Sequence, residues 1–183
     1  MFVKYIKVLV INLFIFCGSY TYAETSFVHT KLAEKLYKPW GIAVLDNDHL
    51  LITQKSGELF KVNIRSKIKT EIFHNLIVGE YGQGGLLDIL YYDKKVFVSY
   101  AEKRGDEQYS TSVAIGELKD NSINFKNIFQ SEPPIKSKKH FGSRLEVKNN
   151  HLFITVGERQ TGKLTQEIDN HFGKIVRLRL DGS

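Results

Sequence analysis

Cysteine occurs once in this 183-residue chain, as Cys17, and nowhere after it. That absence removes disulfide bracing, a cysteine nucleophile and thiolate metal ligands from everything downstream. Such a chain has to be held by its apolar core and by strand pairing. Helical periodicity is scarce as well; Phe27 to Tyr37 reads as a short helix or, equally, an edge strand. The one long apolar run, Val8 to Cys17, is broken by Asn12 and falls short of the about 20 residues a membrane span needs. His29, His49, His74, His140, His151 and His171 show no zinc-type spacing, so no metal ligand is assigned. Nothing marks a Ser-His-Asp set. The lysines are scattered and not interleaved with aromatics, which gives nucleic-acid binding no support.

The start of the chain is read separately. Lys4 and Lys7 precede the apolar run, and Thr21-Tyr22-Ala23 puts small residues at the two positions a signal peptidase reads. Residues 1–23 are expected to be a secretory signal peptide, cut after Ala23. Bulky Phe16 before Cys17 argues against lipid attachment. The mature part, residues 24–183, is expected in the periplasm or outside the cell, with no membrane contact after cleavage. Removing Lys4 and Lys7 from the 26 basic residues leaves 24 against 20 acidic ones, a mildly basic +4.

After Pro39-Trp40 the chain reads as a succession of short apolar strands bounded by turn residues. Gly41 to Leu45, His49 to Gln54, Glu58 to Asn63 and Lys67 to Phe73 form a four-stranded meander. The pattern then recurs. Asp46-Asn47-Asp48-His49-Leu50-Leu51-Ile52-Thr53 resembles Tyr92-Asp93-Lys94-Lys95-Val96-Phe97-Val98-Ser99 and Lys148-Asn149-Asn150-His151-Leu152-Phe153-Ile154-Thr155. Each copy is a turn, an apolar strand and then a hydroxyl residue. A second unit uses Gly85 to Tyr91, Lys95 to Ala101, Gln108 to Leu118 and Ser122 to Gln130; a third uses Gly142 to Val147, His151 to Gly157 and Gly173 to Leu180. Units of this size predict an all-β fold of β-propeller type, about three blades of four-stranded antiparallel sheet. An ordinary β-sandwich also shows short strands at regular spacing; the repeat favours the propeller. Three blades leave the ring incomplete, and the chain reads as the front part of a longer protein.

Three stretches could carry chemistry. Gly157-Glu158-Arg159-Gln160-Thr161-Gly162-Lys163 has phosphate-loop spacing, but Leu164 stands where a Ser or Thr is required and no long helix comes after it, so it reads as a loop between strands. Glu80 to Asp88 is glycine-rich and on its own reads as structural. Lys139-His140-Phe141-Gly142-Ser143-Arg144-Leu145 places a histidine beside glycine on a loop tip. Its unperturbed pKa suits proton transfer near neutrality. Taken alone, His140 reads as a surface histidine.

Taken in order, however, Leu36-Tyr37-Lys38-Pro39-Trp40-Gly41-Ile42-Ala43, Gln83-Gly84-Gly85-Leu86-Leu87-Asp88, His140 to Leu145, Thr155-Val156-Gly157-Glu158-Arg159, Gln166-Glu167, Gly173 to Leu178 and Asp181-Gly182-Ser183 resemble one family. It is the soluble PQQ-dependent sugar dehydrogenases, the glucose/sorbosone dehydrogenase family, and most of all the aldose dehydrogenase branch. The resemblance covers essentially all of residues 24–183. It implies a six-bladed propeller, of which this is the N-terminal part, and oxidation of an aldose's anomeric hydroxyl to the lactone with hydride transfer to PQQ. That chemistry also implies an external electron acceptor. His140 falls on the general base and Gln83 on a glutamine beside both substrate and cofactor; these two are the cofactor contacts in this chain. Gln166 falls on a second substrate-binding glutamine. Calcium accompanies PQQ in the family, and the resemblance puts most PQQ and calcium ligands beyond residue 183. The chain alone is then expected to be inactive. Lys139 departs from the glucose-oxidising branch, which has an acid there. The other reading of the same scaffold is a non-catalytic propeller module that binds sugar or a protein partner.

Overall fold

Residues 26–183 are described by a computed structural model. The expected signal peptide lies outside the described residues. Among these residues there is no α-helix, in keeping with the missing 3.6-residue periodicity, and none that could cross a membrane. Residues 27–37 form neither a helix nor a strand.

Thirteen strands form three sheets. The first contains β1 (Pro39–Val44), β2 (His49–Gln54), β3 (Leu59–Asn63) and β4 (Lys69–His74), paired in sequence order and antiparallel. The second contains β5 (Leu86–Tyr92), β6 (Lys95–Lys103), β7 (Tyr109–Gly116) and β10 (Lys126–Gln130). The third has three strands, β11 (Gly142–Lys148), β12 (His151–Val156) and β13 (Lys174–Arg179). Two of the repeated turns are tight two-residue links. Asp93 and Asn149, with the residues after them, take left-handed backbone angles that short polar side chains tolerate.

One stretch departs from the sequence reading. Ser122 to Gln130 is not one strand. β8 (Leu118–Lys119) and β9 (Ser122–Ile123) form a small hairpin that joins the first sheet, β9 running parallel to β4. The chain then crosses to β10 in the second sheet. Asn75 causes the break. Its Nδ2 donates to the Phe125 carbonyl at 3.0 Å, and its Oδ1 accepts from the Phe125 amide at 2.8 Å. The side chain thus replaces a strand partner for the crossing residue.

The sheets pack face to face. Leu51, Leu59 and Ile72 of the first meet Ile89, Val96, Val98 and Tyr100 of the second. Phe97 and Val113 on the far side of the second sheet meet Leu145, Leu152, Ile154 and Val156 of the third. The middle sheet is therefore buried on both faces, which explains why β6 is apolar on both faces, with Ser99 alone interrupting Val96 to Ala101.

The repeated hydroxyl residue fastens one sheet to the next. In each sheet the first strand carries the same bulge, between Pro39 and Ile42, Leu86 and Ile89, and Gly142 and Leu145. The amide inside each bulge donates to the hydroxyl on the second strand: Gly41 to Thr53 at 2.8 Å, Asp88 to Ser99 at 3.0 Å and Arg144 to Thr155 at 2.9 Å. Thr53 then donates to the Leu87 carbonyl at 2.6 Å, and Ser99 donates to the Ser143 carbonyl at 2.7 Å, each in the following sheet.

Candidate active site

Three loops meet at one end of the second and third sheets. The first, residues 79–85, leads into β5. Its Gln83 amide donates to the Lys138 carbonyl at 2.7 Å. The second, residues 131–141, leads into β11 and carries His140. The third, residues 157–163, leaves β12 and carries Glu158. No α-helix succeeds that third loop among the described residues, only a 3-10 turn at Leu164–Gln166.

His140 sits in a left-handed conformation with φ of 52°, which turns its backbone amide onto the Gln83 Oε1 at 2.8 Å. Its side chain is 46% exposed, and its Nδ1 is hydrogen-bonded to the Glu158 carboxylate. That hydrogen bond, ahead of any other cause, holds the Glu158 carboxyl below its ordinary value. An ionised carboxylate can only accept, so Nδ1 donates to it, and in the neutral ring the lone pair falls on Nε2. Nε2 has no hydrogen-bond partner among the described residues. The pair is an oriented, solvent-reachable base.

Register makes the pair. Gly142 pairs with Val156, so continuing two residues outward along the hairpin sets Glu158 opposite His140. The approach is close because Gly157 has no side chain; a Cβ there would lie 1.8 Å from the His140 carbonyl oxygen. Beside them, Arg159 turns inward and is almost wholly buried. Its guanidinium stacks 3.6 Å from the Phe141 ring centroid and donates to the carbonyls of Lys139, Tyr109 and Ser137 at 3.0, 3.1 and 2.7 Å. Burial pulls its pKa down to about 10, which leaves it charged at neutral pH. Arg159 thereby holds the carbonyl next to His140 in place.

The structure brings His140 and Gln83 together. Gln166 stands exposed on the 3-10 turn and makes no hydrogen bond to either among the described residues. Glu158 and Arg159 receive no role from sequence alone, although the hairpin register carries the signal for Glu158. No group of three or more His, Cys, Asp or Glu among the described residues is arranged to hold a metal ion.

Stacked antiparallel sheets, each joined to the next through its bulged first strand, are the build of successive β-propeller blades. The chain belongs to the Glucose / Sorbosone dehydrogenase family, whose pattern residues 36–183 match. It is 32% identical over 161 residues to the aldose sugar dehydrogenase YliI of Escherichia coli K12, covering 82% of this chain and 43% of that one. The apo-form crystal structure of the soluble aldose sugar dehydrogenase from E. coli superposes with a TM-score of 0.78 at 32% identity, over 83% of this chain and 47% of the other. A PQQ-bound aldose sugar dehydrogenase from Streptomyces coelicolor has the same fold, with a TM-score of 0.76 at 24% identity over 85% of this chain and 48% of the other. The chain thus spans less than half the length of these relatives.

Proposed function

We propose that this chain is the base-bearing part of an exported, PQQ-dependent aldose dehydrogenase. The observation that carries the reading is the His140–Glu158 pair, with Nδ1 protonated and Nε2 free, on a scaffold whose relatives are sugar dehydrogenases. His140 Nε2 takes the proton from the anomeric hydroxyl of an aldose. Glu158 keeps the ring oriented and stabilises the imidazolium that results. Gln83 already spends its Oε1 on the His140 amide, so its Nε2 is the end that donates to the sugar or the cofactor. Gln166, exposed on the 3-10 turn, is offered as a second amide for the sugar hydroxyls.

The residues present fit one edge of PQQ, a flat polyanion bearing carbonyl groups. Gln83 and His140 lie at the same loop junction, the Lys55 ammonium is bonded to the adjacent Gly82 carbonyl at 2.5 Å, and Lys138 and Lys139 are exposed beside it. Gln83 and His140 would hold that edge, with the lysines countering its charge. When bound, PQQ supplies the two-electron acceptor for the sugar's hydride. An external acceptor then reoxidises it. Calcium joins the site through residues beyond this set, and the protein acts in the periplasm or outside the cell.

The test is dye reduction with PQQ, calcium and a panel of aldoses. The chain alone is expected to bind PQQ no tighter than about 1 mM, a free energy of roughly −4 kcal/mol, and to show no turnover. Joined to the C-terminal part of the E. coli relative, it should oxidise an aldose, and His140→Gln should then slow turnover by about 10² to 10⁴-fold. Wild-type turnover in that variant would remove His140 from the chemistry.

A further inference from the structure

On the face of β6 that meets the first sheet, Val96, Val98 and Tyr100 are buried in the apolar core, and the next residue on that face is Glu102. Polar side chains take over there. Tyr100 donates its hydroxyl to the Asn127 Oδ1 at 2.8 Å. Burial pushes the Tyr100 phenol up to about 12, so it stays a donor at neutral pH. The Glu102 carboxylate accepts from Ser112 Oγ at 2.7 Å, from Gln130 Nε2 at 2.8 and 3.0 Å, and from Asn127 Nδ2 at 3.3 Å. These groups satisfy one another and so hold fixed directions. A second Asn127 Nδ2 proton and a Tyr100 Oη lone pair are left without a partner among the described residues. A cleft of about 670 Å³ opens between this network and the segment after β4, and all of its lining comes from residues 75–127. Leu76, Ile77 and the buried Phe125 make its lining apolar in part; Ile77 is 83% exposed. Ala101, which faces the other way on β6, packs on Phe141 beside His140, so the second sheet separates this cleft from the candidate active site.

We propose that the cleft is a second, non-catalytic carbohydrate site that takes a neutral hexopyranose, its C–H face against Leu76 and Ile77 and its hydroxyls on Asn127, Tyr100, Lys103 and Asp106. Such a ring has one apolar face and an edge of groups that both donate and accept, which is the combination the lining offers. Charge selects against an ion. The Glu102 carboxylate is already taken up by its donors. Lys103 and Asp106 are exposed, opposite in sign and in no ion pair among the described residues, so the lining carries no further net charge. The network is bonded before any ligand arrives, so little reorganisation accompanies binding. The inference concerns binding alone and does not rest on the proposed redox chemistry.

Amide NMR spectra of the purified, isotope-labelled chain titrated with D-glucose test it. The amides of Ile77, Lys103 and Asn127 should shift and saturate with a dissociation constant of about 1 mM. Gln83 and His140 report the candidate active site separately, so sugar seen there and not in the cleft would overturn this proposal without touching the proposed function. Ile77→Asp and Asp106→Ala change exposed side chains outside the hydrogen-bond network, so each should keep the dispersed spectrum of the parent and weaken binding roughly tenfold. Glucuronate and glucosamine, which carry opposite charges on the same ring, should bind no better than D-glucose. A charged sugar that binds about tenfold tighter, no saturable shift at the three cleft amides, or undiminished affinity in both variants would each overturn the proposal.

Discussion

Nδ1 of His140 is committed to Glu158, and this single hydrogen bond decides what the ring can do. Because the bond lowers the Glu158 pKa in the folded chain, its contribution to stability is present above the ordinary carboxylate value. It is lost as pH falls through the lowered folded value. Glu158→Gln should therefore melt below the parent at neutral pH, and the gap should close in acid; melting curves across pH 2 to 7 read this directly. In His140→Ala, the Glu158 titration midpoint, followed by carbon NMR, should move up toward that of a free glutamate. Arg159 is a different case. Replacing it with methionine keeps the volume but removes the donor to the buried Ser137 carbonyl and to the half-buried carbonyls of Lys139 and Tyr109, so urea unfolding should show a loss of roughly 2 kcal/mol. His140 and Gln83 are legible in the sequence through the order of their motifs. Glu158 is not, because its role depends on where the bulge in β11 shifts the register. Arg159 reads as a surface loop cation, since its burial comes from Phe141 and from carbonyls up to 50 residues away.

Among the elements, the strands that alternate or run apolar are legible nearly to the residue; β2 falls on His49–Gln54 as the pattern predicts. The break between β9 and β10 is not legible, because its cause, Asn75, lies 50 residues upstream. The hydroxyl that ends each repeated strand is visible as a pattern, but its purpose appears only when the next sheet is in place. Thr53→Val and Ser99→Ala should each cost about 2 kcal/mol in urea unfolding, since each leaves a buried amide and a buried carbonyl without a partner. Among the described residues Thr155→Val loses the bulge amide contact alone, so its effect on unfolding of this chain should be smaller. Equal costs at all three positions would show that the contact between sheets contributes nothing.

For the whole molecule, burial predicts a gradient of stability. The middle sheet is covered on both faces, and β6 holds Val96, Phe97, Val98 and Ala101 fully buried. Its amides should exchange with deuterium at the rate of global unfolding, whereas those of β13, which alternates between half-buried and exposed residues, should exchange faster through local opening. The β8–β9 hairpin adds a consequence for the route to the native state. The outer edge of the first sheet is paired by Ser122 and Ile123, which the chain reaches only after the first three strands of the second sheet. Until that parallel pairing forms, β4 is a bare edge, open to any passing strand. The first and second sheets are thus bound into one cooperative folding unit with a long closing loop.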